Sequence, residues 1–294
     1  MSRSVSFVLP AKNEAASIGT VVGELRARFP EAEILVVDDG SGDDTGAIAT
    51  RAGARVVRHP VSRGNGAAVK TGARNARGDA LVFMDADGQH DPAECERLLA
   101  RLAEGYDMVV GSRSRGMHAS VSRLFGNSVY NRLASWITGQ TITDLTSGFR
   151  AVRAPLFRQF LALLPNGFSY PTTITMAFMR AGYGVTFEPV QVRPRKSQTT
   201  SHINLVRDGG RFLLIIFRVG TLYSPLKIFV PISLALFSMG AGYYAYTFVL
   251  YGRFTNLGAL LVSTSVIVFL IGLISEQITA LQYLAAGARA SDRE

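Results

Sequence analysis

Two long uncharged segments limit what this chain can fold into. The first has 25 residues and lies between Lys227 and Arg253, and the second has 22 residues and lies between Arg253 and Glu276. A helix needs about 20 apolar residues to cross the hydrocarbon layer of a bilayer. A soluble domain would need a very large core to enclose two such helices. We therefore predict a membrane-spanning hairpin over residues 226–286, with helices at about 228–251 and 256–276.

The distribution of basic residues predicts how this hairpin is oriented. The loop between the two helices carries one cation, Arg253, whereas several cations flank the hairpin: Arg207, Arg211, Arg218 and Lys227 before it, Arg289 and Arg293 after it. Positive residues favour the cytoplasmic side. Both ends are therefore expected in the cytoplasm, with residues 287–294 as a cytoplasmic tail. Residues 1–200 form the cytoplasmic domain in this prediction. No secretory signal peptide is expected, because the N-terminal stretch MSRSVSFVLPAKNE passes from a short apolar strand directly into charged residues.

Residues 203–224 link these two parts and have an amphipathic pattern. On a helix, Arg207, Arg211 and Arg218 fall on one stripe, and bulky apolar side chains lie on the other faces. This pattern is typical of a helix that lies in the headgroup layer. The Gly209–Gly210 pair weakens a continuous helix, so one interfacial helix and two shorter ones are both compatible with the sequence.

Charge and cysteine content narrow the classes of partner and site. The formal net charge is +9, which suits an anionic partner such as a nucleotide, a phosphate, a lipid headgroup or a nucleic acid. The chain has a single cysteine, Cys95. An internal disulfide and a cysteine-rich zinc site are therefore excluded.

Strand-like and helix-like segments alternate through the first half of the chain. The pattern predicts strands at Val5–Leu9, Ile34–Val37, Val56–Val57, Ala80–Met84 and Met108–Gly111, and helices at Glu14–Arg28, Asp43–Ala52, Gly66–Ala76 and Pro92–Ala103. Asp91 is the expected N-cap of the last helix, with Pro92 at its first position. This alternation predicts an open, mostly parallel α/β sheet, in which ligands bind beyond the carboxyl ends of the strands.

Four polar loops follow the predicted strands and should therefore share one edge of the sheet. They read PAKNE after the first strand, DDGSGDDT after the second, DADGQH after the fourth and GSR after the fifth. The Gly-x-Gly at Gly64–Gly66 follows the third strand and is a weak signal by itself. Asp85 and Asp87 end an apolar strand, where an unpaired buried charge would be costly. They suit Mg²⁺ or Mn²⁺ bound through one or two carboxylates, with a diphosphate and water as the other ligands.

Six segments stand in order along the chain: VLPAKNE (8–14), VVDDGSGDDT (36–45), GNGAAVKTG (64–72), MDADGQHDP (84–92), VVGSR (109–113) and TDLTSGFRA (143–151). Together they resemble the inverting glycosyltransferases of family 2, which have the GT-A fold. The likeness covers roughly residues 5–200 and is closest to the dolichol-phosphate mannose synthase and polyprenyl-phosphate glucosyltransferase group. It implies a Rossmann-like GT-A domain, followed by the interfacial segment and the membrane hairpin.

The resemblance implies a donor site for a nucleotide diphosphate sugar, such as UDP-glucose or GDP-mannose. Asp87 and Gln89 would hold the metal ion, and Asp85 would touch the ribose or reach the metal through water. The nucleoside pocket would contain Pro10, Ala11, Glu14 and Asp39. Asp38 could instead be a structural partner at the strand end. His90 could be a metal ligand, although its neighbours Asp91 and Pro92 favour a helix cap.

The implied acceptor is the phosphate of a polyprenol, undecaprenyl or dolichyl. A phosphate monoester is already largely dianionic at neutral pH, so no strong general base is needed. Bringing two anions together requires cations, and the candidates are Arg113 and Arg123, with Asn127. The resemblance places Asp144 near the acceptor, where it would orient the lipid or the arginines, and a base role stays open. Arg150 could be a salt-bridge partner or a phosphate ligand.

Residues 193–202 depart from the pattern of this family. Relatives often carry an Arg followed by a Gly-x-Ser-Lys stretch, whereas this chain has Ser-His in place of Ser-Lys. The cations Arg193, Arg195 and Lys196 are present. Arg195 and Lys196 are the candidates for contact with the donor diphosphate, and the register leaves the choice open.

The resemblance therefore implies a metal-dependent polyprenyl-phosphate hexosyltransferase in the inner membrane, with its catalytic domain and C-terminus in the cytoplasm. Its partners would be the sugar donor, the lipid acceptor and membrane lipids, with no nucleic acid, and a homo-oligomer is compatible with this organisation. The alternative is a processive polysaccharide synthase, which would be expected to carry Gln-x-x-Arg-Trp and more spanning helices. The only tryptophan, Trp136, lies in ASWITG.

Overall fold

A computed structural model describes residues 4–113, 131–167, 169–191, 193, 217, 220, 221 and 223–291 of the chain. Two compact units are distinguished, Met1–Asn204 with Arg289–Glu294, and Leu205–Ala288. The first is an α/β domain and the second contains a helical hairpin. Arg123, Asn127, Arg195 and Lys196 lie outside the described residues, as do Arg207, Arg211, Arg218 and most of the predicted interfacial segment.

The α/β domain alternates strands and helices as the sequence predicts. Its strands are β1 (Val5–Ala11), β2 (Glu33–Asp38), β3 (Arg55–Arg58), β4 (Ala80–Phe83), β5 (Met108–Arg113), β6 (Arg150–Arg153) and β7 (Val185–Val190). Its helices are α1 (Ile18–Arg28), α2 (Thr45–Arg51), α3 (Asn65–Asn75), α4 (Pro92–Ala103), α5 (131–138), α6 (Ala154–Gln159) and α7 (Tyr170–Arg180). The first helix starts later than predicted, because residues 15–17 form a turn.

The strands form one seven-stranded sheet in the order β3-β2-β1-β4-β6-β5-β7. All neighbouring pairs are parallel except those of β6, which runs antiparallel to both β4 and β5. The predicted mostly parallel sheet is therefore confirmed. An antiparallel strand begins at the edge where its parallel neighbours end. The loop that leads into β6 consequently reaches the same edge as the loops that leave β4 and β5.

The core lies on the strands themselves and under the helices that cover them. Phe7, Leu9, Val36, Val82 and Val109 are fully buried, as expected for a parallel sheet covered on both faces. Helix α4 has the predicted bounds, and the Asp91 side chain caps it by accepting a hydrogen bond from the Ala93 N–H at 2.9 Å. The Asp91 cap and Pro92 determine where the loop after β4 ends, and so help to place Asp85 and Asp87 within that loop.

The second unit contains two long apolar helices, α8 (Pro225–Tyr251) and α9 (Asn256–Ser291), joined by a turn at Gly252. Both are long and apolar enough to cross a membrane. Their apolar side chains are largely exposed, as at Leu234 and Val249, unlike those of core helices in a soluble domain. At Gly240 a Cβ atom would lie 2.9 Å from the Leu261 Cβ, so glycine allows the close approach that membrane helices favour. Helix α9 continues past residue 276, where the second span was predicted to end.

Candidate active site

A cavity of about 510 Å³ opens at the carboxyl edge of the sheet. It is lined by the loops after β1, β2, β3 and β4, by the loop before β6 and by the start of α7. The lining residues of interest are Pro10, Ala11, Lys12, Glu14, Asp39, Ser62, Asn65, Asp85, Asp87, Thr146, Gly148 and Tyr170. The structure thus brings together the four residues that the family resemblance placed in the nucleoside pocket, together with Asp85. Three of the four predicted polar loops contribute directly, and the fourth, with Arg113, reaches the cavity through Thr146.

Asp39 fixes one wall of this cavity. It is 4% exposed, and its carboxylate accepts hydrogen bonds from the Ser62 hydroxyl and from the N–H groups of Arg63 and Gly64, at 2.8–2.9 Å. The buried His59 lies 2.7 Å away through Nδ1. Burial alone would raise the pKa of Asp39, but these hydrogen bonds lower it to about 2. Asp39 therefore stays ionised and holds the loop after β3 in place.

The neighbouring Asp38 does not line the cavity. It is buried, it accepts a hydrogen bond from the Ser41 N–H at 2.8 Å, and its second oxygen lies 3.5 Å from Arg58 Nε. Of the two roles left open for it, the structure favours the structural partner at the strand end. His59 had no assigned role from sequence, because its partners Asp39 and Thr71 are 20 and 12 residues away.

The loop after β4 carries the proposed metal ligands, and Asp85 and Asp87 both line the cavity. The Asp87 side chain also accepts a hydrogen bond from the Gln89 N–H at 3.1 Å, and Gly88 adopts a φ of 74° that favours glycine. Gln89 is not among the cavity-lining residues. The loop therefore directs two carboxylates into the cavity.

These two carboxylates fit a divalent cation that is shared with a substrate diphosphate. The described residues contain no group of three or more His, Cys, Asp or Glu side chains that could hold a metal by themselves. Mg²⁺ commonly uses only one or two carboxylates, with substrate phosphates and water as the other ligands. The donor set of Asp85 and Asp87 therefore suits a metal that arrives with the nucleotide.

His90 is a buried residue of this loop. It is 8% exposed, its ring stacks on Phe149 at a centroid distance of 4.6 Å, and its Nε2 lies 4.0 Å from the Asp85 carboxylate. Burial lowers the pKa of His90 to about 4. The imidazole is therefore neutral at physiological pH and packs the loop against Phe149, the residue that precedes β6.

Arg113 and Asp144 form a forked ion pair beside the cavity. Arg113 Nε and Nη2 donate to the two Asp144 oxygens at 2.8 and 3.1 Å, and Nη2 also donates to the Thr146 hydroxyl at 2.8 Å. Asp144 is buried, whereas the Arg113 side chain is 36% exposed. Burial alone would raise the pKa of Asp144, but Arg113 holds it below its ordinary value. This geometry suits a carboxylate that orients Arg113, and it disfavours a general base.

Arg150 has neither of the two roles considered from the sequence. It is fully buried, and its guanidinium donates to the carbonyls of Ser147 and Pro171 and to the Thr175 hydroxyl. Its Cζ lies 5.8 Å from the centre of the Tyr170 ring. The interpretations as a salt-bridge partner and as a phosphate ligand are therefore wrong. Arg150 ties β6 to α7, and this position under the cavity wall was not visible from local sequence.

We expect Arg150→Ala to destabilise the domain by about 3–5 kcal/mol, through a cavity and unpaired buried carbonyls. The substitution also removes the cost of burying a cation, which opposes the loss of stability. That gain should be small, because carbonyl oxygens and the Tyr170 ring already stabilise the buried charge. Thermal unfolding of the purified protein measures the effect, with the exposed Arg132→Ala as a matched control. Equal melting temperatures for the two variants would contradict a stabilising network around Arg150.

Several site residues were not singled out from the sequence. Lys12 Nζ donates to the Ser62 hydroxyl at 3.1 Å, and both line the cavity together with Thr146 and Tyr170. Lys12 lies in the PAKNE segment, so its place after β1 was an available signal. From the sequence, Arg193 had no role beyond being one of three cations in residues 193–202. In the structure its guanidinium pairs with Glu24 and Asp91. The remaining residues depend on contacts between distant segments.

Comparison with known proteins gives two family matches. Residues 6–161 match the family described as Glycosyl transferase family 2, and residues 224–281 match the GtrB C-terminal hairpin. The Glycosyltransferase AglJ of Haloferax volcanii is 32% identical over 253 residues, which cover 84% of this chain and 82% of that protein. The Undecaprenyl-phosphate mannosyltransferase of Micrococcus luteus is 34% identical over 203 residues, which cover 63% of this chain and 82% of that protein.

The α/β architecture also has a solved counterpart. Glucosyl-3-phosphoglycerate synthase from Mycobacterium tuberculosis, crystallised with Mn²⁺, uridine diphosphate and glucosyl-3-phosphoglycerate, has a TM-score of 0.58 to this chain. The two are 25% identical, and the match covers 73% of this chain and 78% of that one.

Proposed function

The chain belongs to glycosyl transferase family 2, and we propose that it transfers a single sugar, with inversion, from a nucleotide diphosphate sugar to polyprenyl phosphate. One observation carries this proposal. The cavity that presents Asp85 and Asp87 also presents Thr146, whose hydroxyl accepts a hydrogen bond from Arg113. The proposed metal–diphosphate site therefore lies next to Arg113, the proposed cation for the phosphate nucleophile.

The reaction needs little acid–base chemistry from the protein. A phosphate oxygen of the acceptor forms a bond to the anomeric carbon, and the bond from that carbon to the diphosphate breaks. The acceptor is already largely dianionic at neutral pH, so no proton has to be removed. Asp144 is paired with Arg113 and keeps that guanidinium in place. The positive charge of Arg113 then reduces the repulsion between the acceptor phosphate and the donor diphosphate.

The departing nucleotide diphosphate carries the developing negative charge. A divalent cation held by Asp85 and Asp87 would supply positive charge there. Gln89 is a further proposed ligand, and the Mn²⁺ and uridine diphosphate bound by the solved counterpart support this use of the site. Pro10, Ala11, Glu14 and Asp39 are proposed to hold the nucleoside. Arg123 and Asn127 are proposed on the acceptor side, and Arg195 or Lys196 on the diphosphate.

A donor panel tests the function. The protein in detergent or membranes is incubated with UDP- or GDP-sugars, Mn²⁺ and a short polyprenyl phosphate, and lipid products are separated by chromatography. One lipid-linked monosaccharide with release of the nucleotide diphosphate is the expected result. A polymer would indicate a processive synthase instead. No transfer from any donor would contradict the proposal.

The chain is a membrane protein with a helical hairpin, and we propose that its catalytic domain and C-terminus face the cytoplasm of the inner membrane. In a Cys95→Ala background, Asn256→Cys places a thiol at the exposed start of α9, next to the hairpin turn. We expect an impermeant thiol reagent added to the non-cytoplasmic face to label it. The exposed Arg51→Cys in the α/β domain is the control, and it should react only after permeabilisation. Labelling of residue 256 only from the cytoplasmic side would overturn this orientation.

A further inference from the structure

The segment that follows β7 is fastened to the loop that carries the proposed metal ligands. The Arg193 N–H donates to the Gln89 carbonyl at 2.7 Å. Its guanidinium then reaches two carboxylates, Asp91 through Nη2 at 2.9 Å and Glu24 through Nη1 at 3.0 Å. One residue therefore joins the loop after β4, the cap of α4 and helix α1.

Asp91 is shared between two contacts. One oxygen accepts the hydrogen bond of the Ala93 N–H that caps α4, and the other accepts Arg193. The far end of the loop is thus fixed by a charge-assisted contact as well as by the helix that follows.

The near end of the same loop has a separate anchor. The Ser17 hydroxyl donates to the Ala86 carbonyl at 2.8 Å, which ties the loop to the turn before α1. Asp87 lies between the residue held by Ser17, Ala86, and the two residues held by Arg193, Gln89 and Asp91. The direction in which the Asp87 carboxylate points into the cavity therefore depends on both.

These contacts contribute little to global stability. The side chains of Arg193, Glu24 and Asp91 are 46%, 39% and 36% exposed, and exposed ion pairs add about 0–1 kcal/mol. Their position suggests another use, because groups that orient metal ligands change metal affinity or activity by about 10–100-fold when removed. We propose that Arg193 is a positioning residue that holds the loop of residues 85–91 in the geometry that binds the metal–diphosphate unit.

This inference rests on the proposed function, because it assumes a metal-assisted nucleotide site. It also assigns Arg193 a role distinct from the diphosphate contact considered for Arg195 and Lys196. The guanidinium is engaged by two carboxylates and the Arg193 N–H donates to the Gln89 carbonyl, so the contacts of Arg193 are with the loop after β4, the cap of α4 and helix α1.

The test compares Arg193→Gln with Arg101→Gln. Arg101 is a matched control, because it is a half-exposed arginine that also contacts two carboxylates, Glu104 and Glu188, at the other end of α4. Calorimetry measures the binding of UDP, and separately of GDP, to the full-length protein with Mn²⁺ and with EDTA. Thermal unfolding is recorded for each variant.

We expect Arg193→Gln to weaken Mn²⁺-dependent nucleotide binding about 10-fold. For this variant, nucleotide binding in EDTA and the melting temperature should stay close to those of the wild type. Arg101→Gln should leave nucleotide binding, with Mn²⁺ or with EDTA, and the melting temperature unchanged. Glu24→Gln, which leaves the contacts to Asp91 and Gln89 intact, should give a smaller loss. Arg193→Lys should recover part of the affinity.

Two kinds of result would overturn the inference, and they are distinguishable. If the wild type shows Mn²⁺-dependent binding and Arg193→Gln binds equally well, the positioning role is wrong and the proposed function stands. The positioning role is also wrong if Arg193→Gln loses as much affinity in EDTA as it loses with Mn²⁺. If neither nucleotide binds the wild type more tightly with Mn²⁺, the metal-assisted site fails together with the inference.

Discussion

Asp87→Asn is expected to reduce sugar transfer by at least about 100-fold, the loss typical when one group that stabilises developing charge is removed. The substitution removes one negative charge from the proposed metal site. It retains an oxygen at the position that accepts the Gln89 N–H, so the turn of the loop should survive. The effect should therefore be on the metal and on the departing diphosphate, and not on the fold.

The measurement is the rate of lipid-linked sugar formation as a function of Mn²⁺ concentration. Asp44→Asn is the matched control, since Asp44 is exposed at the start of α2, its side chain makes no capping hydrogen bond and it does not line the cavity. Thermal unfolding checks that both variants fold. Transfer by Asp87→Asn at the wild-type rate in limiting Mn²⁺ would show that the metal assignment is wrong.

Arg113 should matter more for the lipid than for the nucleotide. A charge-assisted contact to phosphate is worth about 1.5–3 kcal/mol, which corresponds to roughly a 10- to 100-fold loss in acceptor efficiency. Arg113→Ala would leave the buried Asp144 without its cationic partner and would destabilise the domain. Arg113→Lys is the sharper variant, because it keeps a cation opposite Asp144 and loses the forked geometry.

For Arg113→Lys we expect kcat/KM for polyprenyl phosphate to fall within that range while calorimetric binding of the nucleotide changes little. Arg97→Lys is the control, since Arg97 pairs with Glu94 and Glu188 on an exposed face away from the cavity. If nucleotide binding weakens as much as use of the lipid, Arg113 belongs to the donor site. The acceptor pocket would then be rebuilt around Arg123 and the stripe of Arg207, Arg211 and Arg218, without the buried Arg150.

Local sequence was sufficient for the elements and for part of the site. Asp91 and Pro92 marked the start of α4 to the residue, because a cap and a proline act on the turn that they begin. The apolar run of β4 ended where Asp85 and Asp87 follow, and strands that run parallel bring such ends to one edge. The meeting of the polar loops and the two carboxylates at one edge could therefore be predicted from local sequence, whereas the nucleoside role of Pro10, Ala11, Glu14 and Asp39 came from the family resemblance and stays a prediction.

The acceptor side shows where this reasoning stops. Arg113 and Asp144 are 31 residues apart, and they meet because β6 enters the sheet antiparallel between β4 and β5. The hydrophobic pattern does not predict this insertion, because a four-residue strand has the same pattern whether it pairs parallel or antiparallel. The sequence could name both residues through a family likeness, but not their ion pair or the hydroxyl of Thr146 that connects them to the cavity.

The sequence by itself determined the alternation that makes the α/β sheet, the capped helix after the two carboxylates and the charge-free runs of the membrane hairpin. Those features arise from periodicity, capping and solvation, which act over a few residues or along one segment. Only the tertiary structure decided that Arg150 is buried, that Asp39 holds the loop after β3, and that Arg193 reaches Glu24 across 169 residues. A charged side chain looks the same in the sequence whether it meets solvent, a carbonyl or a carboxylate, and the packing of distant strands, helices and loops determines which of them lies beside it.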